Sequence, residues 1–336
     1  MQITTLGIDL AKSVFQLHGI DVNGSVVLKK KVRRGALLKV LSDLSPCLIG
    51  MEACATSHYW AREIAALGHE VRLIPPAYVK PYVKRQKNDM AEAEAICEAV
   101  TRPNMHFVAI KSADQQAVLM LHRARDLLVR QRTMLVNALR AHLAEFGIVA
   151  ARGPQQVRGL VTDLENATDG LPEVGRAALL CLVRQLDAQE AEIARLDREI
   201  KAWHGQSETS QRLATVPGIG VLTATALAAT VADPGLFKSA RQFSAWLGLV
   251  PRQNSSGGKE RLGRITKMGD AYLRKLLVVG ATAVLRHAIR AQTRTGEWVP
   301  HLLERKPSRL VSVALANKTA RIVWAVLAKR ETYRSA

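Results

Sequence analysis

Apolar positions in residues 4–10 and 14–20 follow a strand pattern around Gly7, and residues 25–32 continue it as a further strand. Between the second and third segments, Asp21-Val22-Asn23-Gly24 predicts a hairpin turn in which Asn23 and Gly24 supply positive φ angles. Residues 36–44 then switch to helical spacing, and 47–51 form a short apolar run ending at Glu52. A helix is predicted over 58–67 and a strand over 70–74, closed by Pro75-Pro76. After a basic connector at 80–87, another helix opens near Asn88 and runs to about Thr101, before Pro103. Two or three strands followed by alternating helix and strand predict a mixed α/β sheet.

The period then lengthens. Leu121, Leu128 and Leu135 recur every seven residues in a stretch, 112–146, without Gly or Pro. Over 173–204, Leu179, Leu182, Leu186, Ile193, Leu196, Ile200 and Trp203 fall on three- and four-residue steps, with Gln189 the polar interruption. These heptads predict a coiled coil or helical hairpin, in self-association or as an antiparallel pair within one chain. Residues 151–170, between the helices, read as irregular. Further on, Pro217-Gly218-Ile219-Gly220 is the turn of a helix-hairpin-helix, whose glycines allow a tight turn and whose amides can hold a phosphate. The pattern divides the 336 residues into an α/β part at 1–110, a helical coiled-coil spacer at 111–205 and a mainly helical part at 206–336.

Composition narrows the functional classes. With 48% hydrophobic residues and a mean hydropathy of +0.01, wholesale disorder is excluded. The longest uncharged apolar stretches, 221–232 and 276–285, fall short of the ~18 residues that span a bilayer, so no membrane partner is expected and a cytoplasmic, nucleoid-associated protein is. Cys47, Cys54, Cys97 and Cys181 show no CxxC pairing, which argues against structural zinc or a disulfide framework. The net charge of +19 calls for a polyanionic partner. Residues 1–110 carry 14 basic and 10 acidic residues, 111–205 carry 13 and 12, and 206–336 carry 21 and 7. The surplus, and with it the expected grip on nucleic-acid phosphates, sits in the last part. Only 4% of residues are aromatic, too few for extended base stacking.

Two constellations carry candidate chemistry. In the first, Asp9 lies in the opening strand, Glu52 ends a later one, and Asp89 and Glu92 stand three apart at the start of a helix. Four carboxylates brought together in this way suit a Mg²⁺ phosphodiester site, because hard oxygen donors hold such ions. Taken alone, Asp89-Met90-Ala91-Glu92 is equally a capping box. The second constellation is an irregular loop at 250–258 with the pair Ser255-Ser256, set among Lys238, Arg241, Arg252, Lys259, Arg261, Arg264, Lys267, Arg274 and Lys275. A serine attacking a phosphate needs such cations around it.

The segments Gly7-Ile-Asp-Leu-Ala-Lys12, Met51-Glu-Ala-Cys54 and Lys87-Asn-Asp-Met-Ala-Glu-Ala93 resemble the DEDD transposases of a large class of bacterial insertion sequences, the bridge-RNA-guided recombinases. The second signature of that family is similar to Pro251-Arg…Ser256-Gly257…Gly263-Arg-Ile-Thr-Lys-Met-Gly269…Leu273-Arg274. The resemblance implies a resolvase-like RNase H fold carrying Asp9, Glu52, Asp89 and Glu92 as Mg²⁺ ligands, and Ser256, directly before glycine, as the nucleophile. It further implies donor and target DNA, a structured non-coding guide RNA, and a homo-oligomer (dimer or tetramer) pairing one subunit's acidic site with another's serine. Gly218, Gly220, Arg252, Lys259, Arg261, Arg264, Lys267 and Arg274 are the expected nucleic-acid contacts. Two positions depart from the family pattern: Glu92 stands where an Asp is usual, and Ala55 where a Gly is. A water-using metal-dependent endonuclease and an inactive nucleic-acid-binding protein stand as the alternatives.

Overall fold

The predicted strands close into one five-stranded sheet in a computed structural model that describes residues 2–84, 88–149, 171–288 and 294–334. The strands are β1 (Thr5–Asp9), β2 (Val14–Ile20), β3 (Val26–Arg33), β4 (Leu48–Glu52) and β5 (Glu70–Ile74), in the spatial order β3-β2-β1-β4-β5. β1, β4 and β5 run parallel, and β2 and β3 are antiparallel neighbours on the β1 side. The helices α1 (Leu37–Ser42), α2 (Ser57–Ala66), α3 (Pro76–Val79) and α4 (Asp89–Val100) fall between or after them.

At the β2–β3 turn only Gly24 has positive φ, so the expectation for Asn23 is corrected. The Asp21 carboxylate accepts from the amides of Asn23 and Ser25, both at 2.9 Å, and this Asx turn makes a second left-handed residue unnecessary.

Alternation decides the two faces of the sheet. Leu6, Ile8, Phe15, Leu17, Ile49 and Met51 point to one side and form a core with Leu37, Leu41, Trp60 and Ile64. On the other side lies α4, seated closely because β1 and β4 each present a glycine. A Cβ on Gly7 would stand 2.2 Å from the Ala93 carbonyl oxygen, and one on Gly50 would stand 2.8 Å from Val100 Cβ. Only a residue without a side chain lets helix and sheet approach this closely.

The remaining helices are α5 (Ala113–Ala144), α6 (Glu173–Gln206), α7 (Glu208–Ala214), α8 (Val221–Thr230), α9 (Ala240–Trp246), α10 (Ala271–Ala288), α11 (Arg294–Leu303) and α12 (Ser308–Lys329). The chain forms two compact units, each gathered from separated segments. One comprises Met1–Gln116, Ala228–Ala271 and Ala320–Arg330; the other comprises Ala117–Leu227, Tyr272–Thr319 and Glu331–Ala336.

In the second unit the heptad helices pair with each other. Val136, Leu139 and Leu143 near the end of α5 cluster with Leu179, Val183 and Leu186 near the start of α6. Arg125 and Asp197 form a bidentate ion pair across the two helices, at 2.5 and 3.2 Å. The seam on α5 is not the expected one: Leu121, Leu128 and Leu135 are half-buried, whereas Val118, His122, Val136, Leu139 and Leu143 are buried. A histidine in the buried line explains the shift. His122 Nδ1 lies 3.0 Å from the Tyr272 hydroxyl, and Nε2 lies 3.0 Å from Thr225 Oγ1. Thr225 donates its proton to the Val221 carbonyl at 2.8 Å, so it accepts from His122 Nε2–H, which leaves Nδ1 to accept from Tyr272. The predicted irregular segment 151–170 lies outside the described residues.

Among the described helices, Ser308–Lys329 is by length and composition long and apolar enough to cross a membrane, and half of its apolar stretch is buried inside the protein. Its Val311, Leu315, Ala316, Ala320 and Val323 are interior residues.

Candidate active site

Strand register brings the first pair of carboxylates together. β1 and β4 pair in parallel through Gly7 with Gly50 and Ile8 with Met51, so the next residues, Asp9 and Glu52, end adjacent strands side by side. Gly7 and Gly50 face α4, and a two-residue step keeps the face, so Asp9 and Glu52 stand on the α4 side.

The helix supplies the other two by the same arithmetic. Thr5 O accepts from Cys97 Sγ at 3.8 Å, and Gly7 lies under Ala93 and Cys97, so α4 runs opposite to β1. One helical turn back from Ala93 is Asp89, and one turn back from Ile96, which covers Gly50, is Glu92. A turn advances about 5.4 Å and two strand residues about 6.7 Å. Backbone placement therefore aligns Asp89 with Asp9 and Glu92 with Glu52. In side-chain terms the four do not close up: among the described residues no three His, Cys, Asp or Glu side chains form a group able to hold a metal ion. The donor set itself fits such an ion, being four hard carboxylates on elements that meet at one sheet end. Asp9, Glu52 and Glu92 are half-buried and Asp89 is exposed.

Asp89 does not cap its helix. Asn88, not Asp89, is the N-cap of α4: its side-chain oxygen accepts from the Ala91 amide at 2.9 Å. The capping-box reading is corrected accordingly, since Asp89 lies inside the first turn. At the other departure, the turn after β4 needs no glycine. Ala55 does not have positive φ, and Ser57 Oγ ties the turn by accepting from the Cys54 amide at 3.1 Å and donating to the Cys54 carbonyl at 2.9 Å.

The serine segment is more ordered than an irregular loop. β6 (Pro251–Gln253) and β7 (Leu262–Ile265) form an antiparallel hairpin, and Asn254 N–H donates to Arg261 O at 2.9 Å. At its tip Gly257 and Gly258, with φ of +56° and +76°, make a two-residue turn closed by Lys259 N–H donating to Ser256 O at 3.1 Å. Residues 251–264 are all exposed. Ser255 Oγ accepts from the Arg261 amide at 3.1 Å, a structural task, whereas the adjacent Ser256 begins the turn. Arg252, Lys259, Arg261, Arg264 and Lys267 are exposed on or just beyond this hairpin, and Arg274 follows in α10. Lys267, with φ of +55°, donates its amide to Gly248 O at 3.1 Å.

In the predicted helix-hairpin-helix, Ile219 N–H donates to Val216 O at 3.0 Å and Gly218 takes φ of +84°. Gly218 is occupied by packing: a Cβ on its partner Gly280 of α10 would stand 2.0 Å from Gly218 O. Gly220 is exposed immediately before α8.

Buried thiols offer no rival nucleophile, since burial pushes Cys47 and Cys97 up to about 11.

Comparison with known proteins decides the family. Residues 6–148 match the DEDD transposases of the IS110 type, and residues 210–295 match the family described as Transposase IS116/IS110/IS902 family. The chain is 48% identical to a probable family 20 transposase of Pseudomonas aeruginosa over 99% of both chains. The chain belongs to the IS110/IS116 family of transposases. It is also 44% identical to the transposase for insertion sequence element IS1328 of Yersinia enterocolitica, over 96% of both chains. To the transposase for insertion sequence element IS1111A of Coxiella burnetii it is 42% identical, over 99% of this chain and 92% of that one. As an insertion-sequence transposase it acts on DNA, and its DEDD part implies a divalent metal ion. The match at 6–148 spans the sheet, α4 and α5, and so includes all four carboxylates.

Proposed function

We propose that this transposase cuts and rejoins DNA through a covalent link to Ser256, assisted by Mg²⁺ held by Asp9, Glu52, Asp89 and Glu92 on a resolvase-like RNase H fold. The alignment of Asp9 with Asp89 and of Glu52 with Glu92 at one sheet end, enforced by the glycine-seated helix, carries this reading. Magnesium, when bound there, supplies positive charge to the phosphate oxygens. The protein's own groups do the rest. The Ser256 oxygen forms a bond to phosphorus as the ester bond to the neighbouring nucleotide breaks; the serine proton leaves to solvent and the departing nucleotide oxygen takes one up. Arg252, Lys259, Arg261, Arg264, Lys267 and Arg274 neutralise the phosphate, and the helix-start amides after Gly220 hold the backbone without reading sequence, whereas the Ile219 amide after Gly218 is already given to Val216 O. The glycine turn supports the serine assignment, because a side chain at the start of an exposed hairpin tip can reach a phosphate.

In this reading the labour is divided among a part at 1–110 that bears the four carboxylates, a helical spacer at 111–205 and a strongly basic part at 206–336 that bears the serine. A structured RNA selects the donor and target, and a dimer or tetramer brings one subunit's carboxylates to another's serine. The test is denaturing electrophoresis of transposase incubated with element-end DNA. Wild-type protein retains covalently attached DNA; Ser256→Ala loses the adduct and still binds DNA. An adduct that persists in Ser256→Ala refutes the serine, and cut ends without any adduct indicate water as the nucleophile.

A further inference from the structure

The sheet edge next to the carboxylates carries cations on one chosen face. β3 is an edge strand, and its sequence Val26-Val-Leu-Lys-Lys-Lys-Val-Arg33 is exposed at Lys29, Lys30, Lys31 and Arg33. The β2–β3 register pairs Lys29 with His18, Lys31 with Gln16 and Arg33 with Val14. His18 and Gln16 pair in turn with Gly7 and Asp9 of β1. Because directly opposed residues share a face, Lys29, Lys31 and Arg33 stand on the α4 side, the side of the carboxylates. The electrostatic neighbours agree: Lys29 acts on both His18 and Glu94 of α4. Lys30 pairs with Leu17, a residue of the opposite core, and so belongs to the other face.

Lys31, Gln16 and Asp9 therefore form one row across three strands, which puts the Lys31 backbone about 10 Å from that of Asp9. Lys29, Lys31 and Arg33 follow the strand at steps of about 6.7 Å. On this side Lys84 is already engaged with Glu94 at 2.7 Å. Lysines on an edge strand can also serve to prevent pairing with another chain, but that task is indifferent to the face they occupy.

We propose that Lys29, Lys31 and Arg33 form a phosphate track for the DNA that enters the carboxylate end of the sheet. Charge decides for a polyanion, and the shared row with Asp9 decides for the reacting DNA over a guide RNA. The proposal rests on the carboxylate reading above, but its test reads binding without cutting. Association of the full-length protein with a short DNA duplex is measured against salt concentration without divalent ions, by fluorescence anisotropy. The triple variant Lys29→Gln/Lys31→Gln/Arg33→Gln weakens binding at least tenfold and flattens the log–log salt slope by about 2–3, roughly 0.9 for each lost contact. Lys30→Gln, on the same strand and of the same charge, leaves both unchanged. An unaltered thermal melting temperature shows that the variants fold. The track is refuted if the triple variant keeps the wild-type slope, if Lys30→Gln flattens it by as much as Lys31→Gln, or if the triple variant loses affinity for structured RNA alone. Failure of the carboxylate reading would show separately, as cleavage surviving in Asp9→Asn.

Discussion

The two halves of the candidate chemistry are held in opposite ways. Asp9 and Glu52 end strands whose preceding residues are buried, and the helix bearing Asp89 and Glu92 is pressed against Gly7 and Gly50 with no room for a methyl group. Ser256 sits on a hairpin of exposed residues, shaped by two left-handed glycines around which there is open space. A group held by packing is fixed by the fold. A group held by a turn can be redirected at little cost, which suits a residue that has to meet a bulky phosphodiester from outside.

This contrast can be broken at several points. The largest effect is expected from Asp9→Asn or Glu52→Gln, which lower strand cleavage about 10³-fold or more while DNA binding and the melting temperature hold. Cleavage assays beside thermal melts check this, and a loss of folding would show that the carboxylates are structural. Gly7→Val should cost about 3 kcal/mol of stability or more, since its Cβ meets the Ala93 carbonyl, and cleavage should fail with the fold. Gly257→Ala at the hairpin tip costs about 1 kcal/mol of local strain and leaves the global melting temperature unchanged. Equal losses from the two glycine variants would erase the contrast.

The second unit adds a pH dependence. Burial, then the neighbouring Arg125 charge, lowers His122 from its ordinary 6.5 to about 4, against the opposing pull of Asp197. The unfolded chain then takes up a proton below about pH 6.5 that the folded chain refuses until about pH 4, so stability falls with falling pH across that window, by roughly 3 kcal/mol in total. Denaturant melts from pH 7 to pH 4 should show this slope, and His122→Gln should flatten it. The smallest effect is at the helix cap: Asn88→Ala should cost about 1 kcal/mol, seen in denaturant melts, whereas Asp89→Asn should cost less than that because Asp89 is not the cap.

What the sequence made legible follows the same contrast. Apart from the unexpected short helix α3, the strands and helices up to Val100 match their expected places to within a few residues, because burial on alternating faces writes period two into β1 and β2. That Asp9 lies in the first strand and Glu52 ends a later one could be read for the same reason, whereas the β1–β4 register that sets them side by side could not. The β6–β7 hairpin escaped because its short strands are exposed and charged, so no apolar alternation marks them. Asn88 was hidden behind Asp89, since both are good caps and only the backbone shows which one flanks the helix. The α5 seam was displaced because a buried histidine, satisfied by Thr225 and Tyr272, counts as polar in a sequence pattern. The basic face of β3 needed the β2–β3 register, which composition by thirds does not contain.

The central claim is that carboxylates from two strands and one helix hold a divalent ion together. Electron paramagnetic resonance of Mn²⁺ titrated into the protein tests it directly. The account predicts tight binding that Asp9→Asn, Glu52→Gln and Asp89→Asn each weaken and that Ser256→Ala leaves intact; Mn²⁺ affinity unchanged in the three carboxylate variants would contradict it.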